Sequence, residues 1–110
     1  YRLEIAIFDF ELKVETRLTS GGEITDVKVW VNYELKYSPL AIYTSETDHT
    51  VEVESTFIRI IELDIYEYTF VRWEDHSTNN PRTITIEENT ILTAYYKVKY
   101  VGSISSIGDV

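Results

Sequence analysis

With 110 residues, 44% of them hydrophobic, the chain is long enough for one buried core and too short for two, so a single domain over residues 1–110 is expected. Its formal charge of −9 repels phosphate backbones and anionic membrane surfaces, and no run of about 18 apolar residues is present, which excludes nucleic acid as a partner and membrane insertion. The absence of cysteine removes disulfides and thiolate metal sites.

The first segment, RLEIAIFDFELKVETRL, alternates apolar and polar residues with period two and predicts a long N-terminal strand over residues 1–17. Phe8, Phe10, Leu12 and Val14 share one face, and Asp9, Glu11, Lys13 and Glu15 share the other. Leu3, Ile5 and Ile7 have the opposite parity, so the buried face switches near residues 6–8, through a bulge, a bend or burial on both faces. Opening on Tyr1 rather than Met, the chain is expected to be a processed form or an excised domain.

Gly21 and Gly22 supply a turn, since both accept positive φ. TDVKVWVNY is the next strand, with Val27, Val29 and Val31 inward and Trp30 on the opposite face, toward solvent or a partner. Pro39 cannot donate to a ladder, so KYSPLAIY holds a corner or an edge strand. After the turn SETD, Val51 and Val53 point inward from HTVEVES.

TFIRIIELDIYEYTFVRW carries Phe57, Ile61, Leu63 and Ile65 on one parity and Ile58 and Ile60 on the other, predicting a bulge near residues 60–61. Its three-to-four spacing over residues 57–65 also suits a helix, but β-branched and aromatic residues dominate and no cap begins a helical stripe. Two strands breaking near residues 64–67 are the better reading. Beyond a loop at residues 75–81, RTITI and TILTAYYKVKYV alternate on either side of the turn EEN, and residues 98–110 read as a C-terminal extension. Several short strands at regular spacing predict an all-β, antiparallel β-sandwich.

The pattern FVRWEDHSTNNPRTITIEENTILTAYY, residues 70–96, resembles the closing half of an immunoglobulin-like repeat of archaeal cell-surface and secreted proteins, and more distantly of bacterial surface repeats. GGEITDVKVWVN and SPLAIYTSETDHTVEVES look like its opening half, so the resemblance covers about residues 18–97. It implies a spacer, adhesion or assembly unit outside the cell, in tandem or beside a secreted enzyme, with no catalytic centre of its own and no cofactor. Trp73, Phe70, Leu92 and Tyr95 are then expected in the structural core. The family commonly has Gly after the Asp, where His76 stands here, and the strand over residues 1–17 precedes the usual module start.

Asp75, His76 and Ser77 are adjacent, but a Ser-His-Asp triad needs the base to bridge nucleophile and carboxylate in space, and three consecutive side chains splay apart. Asx and Ser/Thr turns made by Asp75, Ser77 and Thr78 explain the loop better, with His76 at positive φ. A zinc site would need both histidines, His49 and His76, to converge with a carboxylate. Calcium would need Glu46 and Asp48 to share an ion with Glu74 and Asp75, and solvated surface accounts for those carboxylates more simply. Glu62 and Asp64, on one strand face, form a glycosidase-like pair only if a cleft exists, and solubilising residues are the simpler reading.

Trp30 carries the main binding hypothesis, as a subunit contact or a sugar-stacking platform. With Phe8, Ile5 and Ile7 at one end of the chain and Ile104 and Ile107 at the other, it makes up the expected contact set. The sequence therefore predicts a non-enzymatic extracellular or cell-surface structural domain, partnered by copies of itself or neighbouring surface domains, assembling by β-strand addition through its termini. A carbohydrate-binding or adhesion module with a polysaccharide partner, attached to a secreted hydrolase, is the alternative. No Asn begins an Asn-x-Ser/Thr sequon, so N-glycosylation at that signal is not expected.

Overall fold

A computed structural model describes residues 10–45 and 47–104. These residues form β1 (Phe10–Leu18), β2 (Glu23–Ile24), β3 (Lys28–Val31), β4 (Glu34–Tyr37), β5 (Leu40–Thr44), β6 (Thr47–Val53), β7 (Thr56–Ile61), β8 (Asp64–Trp73), β9 (Arg82–Ile86) and β10 (Thr90–Ser103). One sheet has the order β2-β1-β10-β8-β7, with β5 also on β1, and the other the order β4-β3-β6-β9. On the free edge of β1, β5 pairs with residues 10–14 and β2 with Thr16 and Arg17, so two short strands share one edge end to end.

Period-two alternation is what makes these sheets pack. Leu12 and Val14 of β1 and Leu92, Ala94 and Tyr96 of β10 turn inward to meet Val29 and Val31 of β3, Val51 and Val53 of β6 and Ile86 of β9. Each such aliphatic side chain taken out of water contributes about 1.5–3 kcal/mol, which is why residues at this parity are apolar on both sheets. Trp73 is fully buried at the end of β8, and Phe70 packs edge-on against it at 5.5 Å. Leu92 lies in the core as well, but Tyr95 does not: with Leu92, Ala94 and Tyr96 inward, strand parity turns Tyr95 outward, where it stacks under Arg72 at 4.3 Å. Tyr96 occupies the core position expected for Tyr95.

Three features differ from the sequence reading. The pairing of β1 with β10 is parallel, in the register Leu12↔Thr90 to Leu18↔Tyr96, so the sheets are mostly rather than wholly antiparallel. Residues 57–73 do form two strands, but the turn is at Glu62 and Leu63, two residues before the expected break, and the β7–β8 register runs without a bulge from Thr56↔Thr69 to Ile61↔Asp64. The irregularities fall instead between β8 and β10, where the register skips at Tyr95/Tyr96 and at Tyr100/Gly102. Glu62 holds φ of 59°, an unusual value for a residue with a Cβ, and this hid the turn. Lastly, β10 runs on to Ser103, so residues 98–103 belong to the sheet and not to an extension.

Turns elsewhere follow their residues. Gly21 has φ of 110°, and its N–H donates to the Leu18 carbonyl at 2.8 Å. Asn32 and Tyr33, both at positive φ, close the β3–β4 hairpin as a two-residue loop of the type that matches strand twist. Pro39 stands where the chain leaves β4 for β5 in the other sheet, the corner its missing N–H requires. Buried Ser38 beside it accepts from the Val27 N–H at 3.1 Å and meets the Thr16 hydroxyl at 2.7 Å, so this polar corner is satisfied inside the core.

β10 has 14 residues, a span of about 46 Å, and only residues 90–96 of it lie beside β1. From residue 97 its neighbour among the described strands is β8, which in turn pairs with β7. The sheet thus continues past the end of β1 as a three-stranded ribbon. Cross-strand register sets its faces: Phe57, Tyr68 and Val98 share the core-side face, while Ile58, Glu67 and Lys99 share the outer one.

Candidate functional site

The loop between β8 and β9 is built as a brace. Trp73 donates its N–H to the Ser77 carbonyl at 2.9 Å and accepts from the His76 N–H at 3.0 Å, which closes a three-residue loop with its last residue, His76, at φ of 69°. That position usually takes Gly. Asp75 Oδ1 accepts the Ser77 N–H at 3.0 Å and Ser77 Oγ accepts the Asn79 N–H at 3.2 Å, the Asx and Ser turns expected from the sequence.

Arg82 then ties the loop to the core. Its guanidinium donates to Glu74 at 2.7 Å and to Asp75 at 3.0 Å and lies 5.1 Å from the centre of the Trp73 ring. The other Glu74 oxygen accepts the Thr93 N–H at 2.8 Å, and the Trp73 indole donates to the Asn79 carbonyl at 2.7 Å. Asn80 pairs with both backbone groups of Val53, at 2.9 and 2.7 Å, as a strand residue would. Asp75, the third group a triad would require to orient a base, is committed to Arg82 and Ser77. The His76 imidazole is exposed and makes no hydrogen bond among the described residues.

His49 is buried in β6. Asn32 accepts the Thr50 N–H at 2.9 Å through its oxygen, so its amide nitrogen is the donor to His49 Nδ1 at 2.9 Å. Nε2 therefore carries the proton and donates to Thr44 Oγ1 at 3.1 Å, which passes its own hydrogen to the Ser45 carbonyl at 3.1 Å. Both ring nitrogens are occupied, and no group of three metal-ligating side chains occurs among the described residues. Of the four carboxylates considered for calcium, Glu74 and Asp75 serve Arg82, Asp48 accepts the Thr85 hydroxyl, and Glu46 lies outside the described residues. Glu62 sits in a turn and Asp64 begins β8, so they do not share a strand face as expected, and Asp64 faces the Tyr100 hydroxyl at 3.4 Å.

Exposed apolar surface is concentrated on the ribbon. Ile58, Ile60 and Ile61 of β7, Leu63 of the turn, and Val98, Tyr100 and Val101 of β10 all face solvent, Ile60 and Leu63 at 57% each. Residues on both faces take part, so burial against one surface of the domain itself would not cover them. Only Ile104 of the expected contact set lies here, half exposed at 38%, its N–H held by the Leu63 carbonyl at 2.8 Å. Phe8, Ile5, Ile7 and Ile107 lie outside the described residues. The remainder is hidden in the sequence because apolar residues on both parities of residues 57–61 read as a bulge; with the β7–β8 register free of one, the same pattern marks a strand that is apolar on both faces.

Trp30 lies on the outer face of the second sheet, half-buried, opposite Leu35 and Glu52. Tyr37 follows along the same edge strand, and Tyr33 projects from the hairpin tip. Among the described residues no pocket is present. No family model matches the chain, and no curated protein or solved structure matches it either.

Proposed function

We propose that the chain is a non-enzymatic structural domain of an extracellular or cell-surface protein, and that it works by self-association through the β7–β8–β10 ribbon. The observation that carries this reading is the ribbon itself: three strands extending past β1, aliphatic on both faces, with the outer edges of β7 and of residues 97–102 unpaired among the described strands. Exposed apolar patches of this kind mark contact surfaces, and open edges are templates for another strand. The immunoglobulin-like reading of the fold is supported by two sheets packed over one core with a buried Trp. One departure weighs against it: β9 and β10, consecutive in the chain, lie in different sheets, whereas the last two strands of an immunoglobulin domain share one.

Sedimentation of the intact chain tests the proposal. Reversible association is expected at micromolar to millimolar concentration, and Ile60→Lys with Tyr100→Lys, one exposed residue from each outer strand, should abolish it while leaving the melt of the domain unchanged. A strict monomer at the highest concentration would sink the reading. A sugar-binding alternative rests on Trp30, Tyr37 and Tyr33, three aromatics gathered at the β3–β4 hairpin. It predicts that a soluble polysaccharide perturbs Trp30 fluorescence in a way that Trp30→Ala removes.

A further inference from the structure

Along one edge of β10 only the first half has a neighbouring strand among the described residues. Residues 90–96 pair with β1, and the Tyr96 carbonyl still accepts the Thr19 N–H at 2.9 Å. The chain then turns away through residues 19–22, and residues 97–102 continue without a strand on that side among the described residues. An edge of this length exposes backbone donors and acceptors that a further strand would satisfy.

The side chains along this edge define what would fit. Val98 and Tyr100, 43% and 55% exposed, stand on the core-side face, beyond the part of the core that the second sheet covers. Lys97 and Lys99 stand on the outer face, and neither forms an ion pair among the described residues. An incoming strand must therefore be apolar on one face and acidic or small on the other. Ahead of β1 the chain reads L-E-I-A-I: Leu3, Ile5 and Ile7 alternate with Glu4 and Ala6. With the aliphatic set placed beside Val98 and Tyr100, Glu4 comes to the Lys97 and Lys99 side.

That segment cannot serve its own edge. In the register Leu12↔Thr90, Phe10 lies level with Glu88, nine residues short of Lys97. At the rise of a strand this gap is about 30 Å. Leu3 is seven residues from Phe10 and reaches no farther than about 25 Å from it even fully extended. Ile5 and Ile7 fall shorter still.

Resting on self-association as the function, we infer that residues 3–7 of one copy add to the edge at residues 97–102 of the next copy. A strand added parallel to β10, as β1 is lower down, keeps successive copies in one orientation. The contact is then heterologous, a donor segment of one copy meeting a different surface of the next, and it propagates from copy to copy instead of closing a two-fold dimer. The lysines at 97 and 99 have a competing reading as guards that blunt an edge strand against pairing, and the experiment separates the two.

The chain has no cysteine, so single introduced cysteines report unambiguously. Ile5→Cys protein mixed with Val98→Cys protein is expected to give the mixed disulfide dimer at least tenfold faster than Ile5→Cys mixed with Thr85→Cys, a control on an exposed outer position of β9. Equal rates would overturn the inference, as would an unmixed Ile5→Cys/Val98→Cys double variant that closes its disulfide within one chain. The full chain carrying Ile5→Asp and Ile7→Asp is expected to associate at least tenfold more weakly with the β1–β10 core still folded by thermal melt. Full association by that variant, with loss in the ribbon variant, would retain the ribbon as the contact and reject this donor. No association by the unmodified chain would reject the function itself.

Discussion

Tyr96 shows how one residue couples packing to chemistry. Its ring is fully buried against Phe57 and Phe70, at 5.4 and 5.9 Å, and its hydroxyl donates to the Glu54 carbonyl. Burial, with the Glu54 charge adding to it, pushes the phenol well above the ordinary tyrosine range. A folded-state value above the unfolded one means that the folded chain holds the proton more tightly. The stability this represents is fully present below about pH 10, the unfolded value, and is lost as pH rises beyond it. Denaturant melts should therefore show a falling midpoint above about pH 10, and Tyr96→Phe should flatten that fall while lowering stability at neutral pH by about 1 kcal/mol for the lost hydrogen bond. An equally steep alkaline fall in the Phe variant would place the responsible group elsewhere.

At the scale of elements, the strands legible in the sequence were those with one wet face. β3, β9 and the first half of β10 follow their alternation because one parity meets the core, and β1 does so over Phe10–Leu18. This stretch of β1 is paired on both edges and so belongs to its own sheet, while Ile5, Ile7 and Phe8, the part of the N-terminal strand expected to serve a neighbour, lie outside the described residues. Pairing partners were not legible: nothing local in FELKVETRL says that its neighbour lies some eighty residues away and runs parallel. The β7–β8 turn is not legible in the sequence because Glu62 and Leu63 are not turn formers, and the ladder dictates the conformation that Glu62 holds. Glu62→Gly should consequently raise stability by up to about 1 kcal/mol, as Gly takes positive φ without the steric cost of a Cβ. A loss in thermal melts would mean that the Glu62 side chain supports the hairpin tip.

For the molecule as a whole, an acidic surface and an apolar ribbon act in opposite directions. Each copy carries a formal charge of −9, so two approaching copies repel over a distance set by the ionic atmosphere, about 30 Å at 0.01 M salt and about 8 Å at 0.15 M. The proposed contact surface would interrupt this field: β7 has Arg59 as its single charge, and residues 97–102 bring Lys97 and Lys99 with no acid between them. In the proposed contact, attraction between Glu4 and those lysines would contribute about 0–1 kcal/mol, as surface ion pairs do, and would be the smaller of the two effects. Burial of Ile60, Val98 and Tyr100 does not weaken with added salt. Self-association should therefore tighten as sodium chloride rises from about 0.01 to 0.3 M, measured by sedimentation equilibrium at neutral pH. Weakening over the same range would show that ion pairs and not aliphatic burial hold the copies together, and would move the contact away from the ribbon to a surface where opposite charges meet.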